Sequence, residues 1–593
     1  MSKARKKTYK QGTAKRLVQE SFILSCTRFL SSRFVRFFES GFASPLITST
    51  EAVDDFARKK ITGPLYKKVG MKKNFSMPAR NAVASFIENA RVTKLLTAFK
   101  NAFLNATFRT VGIFLLTFGI YAAAVFLLKS YVSLSLGADA SITDVCVAAI
   151  TALAGLLFTL FGDKGILAVT GKSRIIGGLI SRNLGVNDSS LIRRASSQPK
   201  TYAGFGFLLG SLFGIVTLFF HPASVLLFIL AITVAAIIVN IPEFGLLVAV
   251  SVFSFVSVSL TAAIVCLTLL SYLFKCVRLK RNFRFGTADA AVLLMFAVMY
   301  FTSIIFNGTT SGEYYILIFT AVYFLAKNLL CSKILVVQAF NALCTGITLG
   351  MVLYILGDFA TLIPHVHLQS AALALTANVL HADVLVMLTV CTLPFALSTF
   401  SASLGNKARN RFVFCAAMGA FVIDSKLFYI LLAVSMIVYI AFAYKAPFGA
   451  LLCSAIIIPP ILVFASDYTI ADAVSIGRTV YDSSLSIEAS HVFSNFWSGM
   501  YDISNGATVT LFALALLLIM QRAFRSMLTG NARKSGAAYG GAVTASAVMT
   551  LVCMSLFNPF SDLRSLVAIW FVFGLCGAVY GVCLKESNEY TEV

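Results

Sequence analysis

The chain has 593 residues, 58% of them hydrophobic and only 12% charged, with a net charge of +24 and a mean hydropathy of +0.85. A soluble domain is about 45–50% apolar and about 25% charged, so this composition excludes an ordinary soluble enzyme. In a soluble protein the excess of Lys and Arg would suggest nucleic acid. Here apolar runs account for it differently, and no nucleic-acid partner is expected.

Residues 1–108 hold 21 Lys and Arg against 6 Asp and Glu. Residues 1–20 read as a basic, disordered tail. From 21 to 38, Phe22, Leu30, Phe34, Phe37 and Phe38 interleave with Arg28, Arg33 and Arg36 at helical spacing. Leu95, Leu96, Phe99, Phe103 and Leu104 repeat the pattern around Lys94 and Lys100. Each pattern fits an interfacial amphipathic helix, or a helix packed on the protein's own cytoplasmic face. A basic segment before a span also favours anionic lipid headgroups, at about 1 kcal/mol per nearby Lys or Arg.

From residue 109 onward apolar stretches recur. A bilayer core of about 30 Å takes about 20 apolar helical residues. The stretches are continuously apolar rather than alternating, which selects helices over a barrel. The spans expected lie at about 109–128, 141–161, 202–220, 223–240, 243–258, 259–274, 287–306, 313–331, 333–356, 382–403, 411–424, 427–444, 446–465, 507–521, 539–557 and 563–584. The fold class expected is all-α: a polytopic transmembrane bundle of about 14–16 spans. It divides into a basic region 1–108, two spans with a basic loop over 109–200, a core over 201–584 and a tail over 585–593.

Lys and Arg clusters fall in alternate loops, at 164–200, 275–284, 407–411 and 522–534. The positive-inside rule puts these loops and both termini in the cytoplasm. The opposite loops include 358–381 and 466–506. The location expected is a cell membrane crossed many times.

No phosphate loop, zinc-protease helix or nucleophile elbow occurs, and the 12 cysteines show no CxxC pairing. His365, His367 and His381 form a loose group that no Cys or placed acid completes as a metal site. No metal or cofactor is expected.

Chemistry centres on the long outer loop 466–506. It carries Arg478 and His491 as its basic groups, with Glu488, Trp497 and Tyr501. Arg478 is either a phosphate-binding group or a solvated charge paired with Asp472 or Asp482. His491 can move a proton near neutral pH. Trp497 and Tyr501 either stack on a sugar or anchor at the headgroups. Asp424 and Lys426 lie at an outer junction of two spans, where a charge is either functional or snorkels to the interface.

The stretches IPEFGLLVAVSVFSF, TAAIVCLTLLSYLFKCVRLKRNFRFGTADAAVLLMFAVMYFTSIIF and GTTSGEYYILIFTAVYFLAKNLL resemble the middle of the O-antigen ligase/polymerase superfamily. The later TLPFALSTF and NRFVFCAAMGAFVIDSKLFYILLAVSM stand where that family carries a Ser-Arg-Gly turn between two spans. A span and a long outer loop follow in the family's order. The resemblance covers about residues 200–584. It implies a membrane glycosyltransferase whose donor is a saccharide on a polyprenyl diphosphate and whose acceptor is a glycan or glycolipid. It places the family's turn arginine on Lys426, its loop arginine on Arg478 and its loop histidine on His491; Asp424, Glu488, Trp497 and Tyr501, read from residue chemistry, are the candidate substrate-binding residues. The turn departs from the family in having Lys426 for Arg and Leu427 for Gly, and lysine does not make the planar two-point contact with phosphate.

A transporter or flippase for a lipid-linked oligosaccharide is the alternative. It predicts charges inside the membrane, paired across helices. The sequence shows few, since its ionisable groups gather at span ends and in the outer loop.

Overall fold

The computed structural model describes residues 106–132, 142–160, 162, 165, 202–277, 287–306, 311–361, 378–402, 407–423, 426–444, 499–529, 536–557 and 562–591. Among these residues there are fifteen helices and no strand. They are α1 (Phe108–Val132), α2 (Ile142–Leu160), α3 (Ala203–Val216), α4 (Pro222–Asn240), α5 (Pro242–Val252), α6 (Val258–Val277), α7 (Thr287–Phe306) and α8 (Ser311–Leu329). After them come α9 (Lys333–Thr361), α10 (Ala382–Ala402), α11 (Lys407–Ile423), α12 (Lys426–Tyr444), α13 (Gly499–Thr529), α14 (Gly536–Leu556) and α15 (Ser565–Thr591). Eight of them (α1, α2, α4, α6, α9, α13, α14 and α15) are long and apolar enough to cross a membrane, and the other seven are shorter apolar helices. The protein is an all-helical, multi-pass membrane protein. The expected span 446–465 and both amphipathic N-terminal segments lie outside the described residues.

The described residues of Asn74–Ala249 and Ala263–Phe283 form one compact unit; those of Val250–Ala262 and Arg284–Val593 form another. In the first unit α1 packs against α2 and α3 through glycines. Gly206, Gly210 and Gly214 recur at four-residue spacing on α3. A Cβ at Gly206 would lie 2.6 Å from the Thr110 carbonyl, and one at Gly210 2.6 Å from that of Phe114. In lipid, helices gain little from hydrophobic burial against each other, so close backbone approach at small residues carries the association. The His221 ring joins α4 to the first turn of α2, with Nδ1 3.1 Å from both Asp144 carboxylate oxygens.

Two prolines set the local breaks, and in each case a serine from another helix repairs the hydrogen bonding. Pro242 opens α5 and has no N–H for the Ile238 carbonyl at the end of α4. The Ser271 hydroxyl on α6 reaches the carbonyls of Ile238 at 3.0 Å and Val239 at 2.8 Å. Pro394 lies inside α10 and leaves the Val390 carbonyl without its donor. Ser435 on α12 supplies one at 2.8 Å. Freed backbone groups at membrane depth need such partners.

The expected span 243–258 is not one continuous helix: α5 ends at Val252 after 11 residues, about 16 Å of rise. The turn that follows is held from outside the helix. Ser254 Oγ donates to the Gly346 carbonyl on α9 at 2.6 Å, and the Leu380 N–H donates to the Ser254 carbonyl at 3.2 Å. The expected span 507–521 also differs, because α13 runs on to Thr529 and takes Arg522 and Arg525 out of the expected basic loop.

The second unit is built round α14 and α15, whose membrane-length stretches are 72% and 78% buried. Its two ends are defined by buried polar clusters. At one end Arg564 stands just before α15. At the other, the first turn of α7 meets the last turns of α8 and the later part of α13. Ala443 near the end of α12 meets Gly541 of α14, and Phe442 packs on Phe524 at 5.6 Å, so α12 ends on the α13–α14 side. Its first residue, Lys426, lies about 26 Å away along the helix, toward the Arg564 end.

Candidate functional site

The Arg564 cluster is saturated. Its guanidinium is clamped on Asp562, with Nε 2.9 Å from Oδ1 and Nη2 2.5 Å from Oδ2. Nη1 donates to the Val256 carbonyl at 3.0 Å and to that of Asn378. Arg564 is 7% exposed and Asp562 is as deeply buried. One arginine therefore ties the turn after α5, the approach to α10 and the start of α15 together. Every face of its fork is occupied, which makes it a structural knot.

The cluster at the other end differs. Asp289 on α7 is fully buried. It accepts a hydrogen bond from the Tyr323 hydroxyl at 2.8 Å and pairs with Lys327 of α8. Arg522 Nη1 of α13 lies 3.5 Å from Asp289 Oδ1. Lys327 packs under α15, where a Cβ at Gly577 would lie 3.1 Å from its Cγ. Gly577 is about 18 Å along α15 from Ser565, inside the membrane-length stretch Ser565–Cys583. Ionisable groups at such depth are costly and mark functional sites by default. Three helices meet here, near their ends, through one carboxylate and two cations.

An aromatic layer lies between the two ends. Trp570 packs against Phe296 at 5.6 Å, Phe573 at 6.0 Å, and Tyr323 and Phe512 at 6.2 Å. It packs α7, α8, α13 and α15 together next to the Asp289 network.

Of the residues the sequence singles out, Arg478, His491, Asp424, Glu488 and Trp497 lie outside the described residues. Lys426 and Tyr501 are described as backbone only: Lys426 opens α12 and Tyr501 lies in the first turn of α13. Phe512 packs on Trp570 and Arg522 on Asp289, so α13 runs from the Arg564 end to the Asp289 end. Tyr501 therefore shares the Arg564 end with Lys426. Among the described residues no group of three or more His, Cys, Asp or Glu could hold a metal ion.

Asp289, Lys327 and Arg522 carry no joint signal in the sequence. Each reads singly as a charge at the edge of an apolar run, and Asp289 and Arg522 are 233 positions apart. No family model matches the chain, and no curated protein or solved structure is significantly similar to it.

Proposed function

We propose that the protein transfers or polymerises saccharide units carried on a polyprenyl diphosphate, at the outer face of a bacterial cell membrane. The single observation that carries this reading is the end shared by Lys426 and Tyr501, where the chain of the loop 466–506 enters α13. A helix N-terminus presents free N–H groups and the positive end of the helix dipole, and so favours phosphate. The Lys426 ammonium at that position adds a full charge. The opposite end carries Lys333, Arg411, Arg522 and Arg525, which by the positive-inside rule faces the cytoplasm. In this reading the chain crosses the membrane about 14–16 times, with both termini cytoplasmic and residues 1–108 against anionic lipids.

The chemistry follows from the leaving group. The bond from the sugar's anomeric carbon to the diphosphate oxygen breaks, and a bond to the acceptor hydroxyl oxygen forms. Lys426 and Arg478 hold the charge that develops on the departing diphosphate. His491 or Glu488 takes the acceptor's proton. Trp497 and Tyr501 stack on the sugar, and Asp424 and Glu488 contribute to binding the substrate.

The Asp289 network favours a second reading, transport of the same lipid-linked oligosaccharide. The aromatic packing round Trp570, which ties α7, α8, α13 and α15 together, gives that reading no support. Reconstitution separates the two. The protein in liposomes, supplied with a polyprenyl-diphosphate oligosaccharide and an acceptor glycan, is expected to form new glycosidic bonds, read as longer products by gel or mass spectrometry. Movement of the lipid between leaflets with no new bond would instead select the transporter.

A further inference from the structure

We infer that Arg522, with Lys327 beside it, forms a second anion site, for a phosphate group, at the Asp289 end of the second unit. This goes beyond the glycan reading and stands without it, because it concerns the opposite end from Lys426 and rests on described side chains.

Two arginines of the unit contrast: Arg564 is buried and Arg522 is partly exposed. Arg564 spends Nε, Nη1 and Nη2 on a carboxylate and two carbonyls. The Arg522 side chain is only 15% exposed, yet among the described residues its guanidinium meets one acceptor, Asp289 Oδ1. That contact is 3.5 Å long, the outer limit of a hydrogen bond. Guanidinium has five N–H donors, and the partial exposure of Arg522 leaves donors of its fork open to a further acceptor. Asp289 is also shared: the Tyr323 hydroxyl holds the same Oδ1 at 2.8 Å and Lys327 holds Oδ2. The carboxylate therefore positions both cations without saturating the fork of Arg522.

Phosphate fits this arrangement better than a second carboxylate. A tetrahedral, multiply charged group can take the arginine fork on one pair of oxygens and an ammonium on another. Arg522 lies two turns from the end of α13 at Thr529, about 10 Å along the helix. The same end also carries Lys333, whose ammonium lies over the Tyr539 ring at 5.8 Å. Both a phospholipid headgroup and a free phosphate offer this chemistry.

The test uses the full chain in mixed micelles. Thermal midpoints are compared with added phosphatidylglycerol against phosphatidylcholine, and with inorganic phosphate against chloride at equal ionic strength. Wild type is expected to be stabilised by the phosphate-bearing anion, with apparent affinity falling about tenfold or more in Arg522→Gln, the loss of one charge-assisted contact. Asp289→Asn is expected to melt lower without anion and to gain more from it than wild type, because the competing carboxylate is gone. A purely structural ion pair predicts no such gain. A response to phosphatidylglycerol alone assigns a lipid headgroup; a response to inorganic phosphate as well assigns a site open to free phosphate. Equal responses in wild type and Arg522→Gln, or a weakened response in Asp289→Asn, would overturn the site. If Arg522→Gln does not fold, native mass spectrometry of the wild type decides. Phosphatidylglycerol retained above phosphatidylcholine, and displaced less readily from Asp289→Asn, supports the site; equal retention refutes it.

Discussion

Alanine at Arg564 is expected to destabilise the protein by about 3–5 kcal/mol, the cost of breaking a buried ion pair from one side. The reason is what the substitution leaves behind. Asp562 is 8% exposed and would be left buried with no cation beside it. The Val256 and Asn378 carbonyls would lose the donor that Nη1 gives each of them. Asp562 also caps α15, since its Oδ1 accepts from the Arg564 backbone N–H at 3.0 Å and its carbonyl from the Ser565 N–H at 2.9 Å. The damage therefore spreads to the turn after α5 and the starts of α10 and α15. Arg564→Lys keeps the charge without the fork and is expected to fall between. Exposed Arg411→Ala is expected to stay within about 0.5 kcal/mol. The fraction of protein remaining monodisperse after heating in detergent, read by size-exclusion chromatography, measures all three.

Arg478→Ala and Lys426→Ala are each expected to lower polymer formation by roughly 100-fold or more, the scale of removing a group that stabilises transition-state charge. Membrane insertion and yield are expected to stay at the wild-type level, since loop and helix-start charges contribute little to packing. The two positions differ in what remains. Without the ammonium at 426, the N-terminus of α12 still offers its N–H groups to phosphate. Arg478→Ala removes the guanidinium outright, and the charge it would offer the diphosphate goes with it. Lys426→Arg carries the sharper information. It restores the residue type that the resembling family has in the turn, and a planar fork contacts phosphate at two points. Its activity is expected to equal or exceed that of the wild type. Product length after incubation with a lipid-linked donor measures these variants, with protein in the membrane measured in parallel.

Helix placement was largely legible in the residues because membrane helices announce themselves by unbroken hydropathy. The apolar run expected over 287–306 is α7 to the residue, and Pro222 and Pro242 each mark a helix start. Less legible was where an apolar run stops being a helix. Nothing local to VSVFSF says that α5 ends at Val252; the turn is fixed by Gly346, Leu380 and Arg564, all distant in the chain. Polar repairs across helices were likewise hidden. Ser435 and Ser271 look like ordinary hydroxyls in apolar runs until the prolines they compensate are seen beside them. The Asp289 network is hidden for a related reason: its members lie on α7, α8 and α13, and Arg522 stands at the start of a basic stretch that looks like a loop. For the loop 466–506, residue chemistry supplies the candidates Arg478, His491, Glu488 and Trp497, and the structure adds the end of the second unit at which α13 begins.

The account turns on the loop containing Arg478 facing the outside while the α13–α14 connection faces the cytoplasm. Single cysteines at Ser475→Cys and Ser535→Cys, in a chain with its native cysteines replaced, test this in intact cells with a membrane-impermeant maleimide. Labelling at position 475 without permeabilisation, and at 535 only after it, is the result predicted. Labelling at 535 in intact cells with 475 protected would contradict the account.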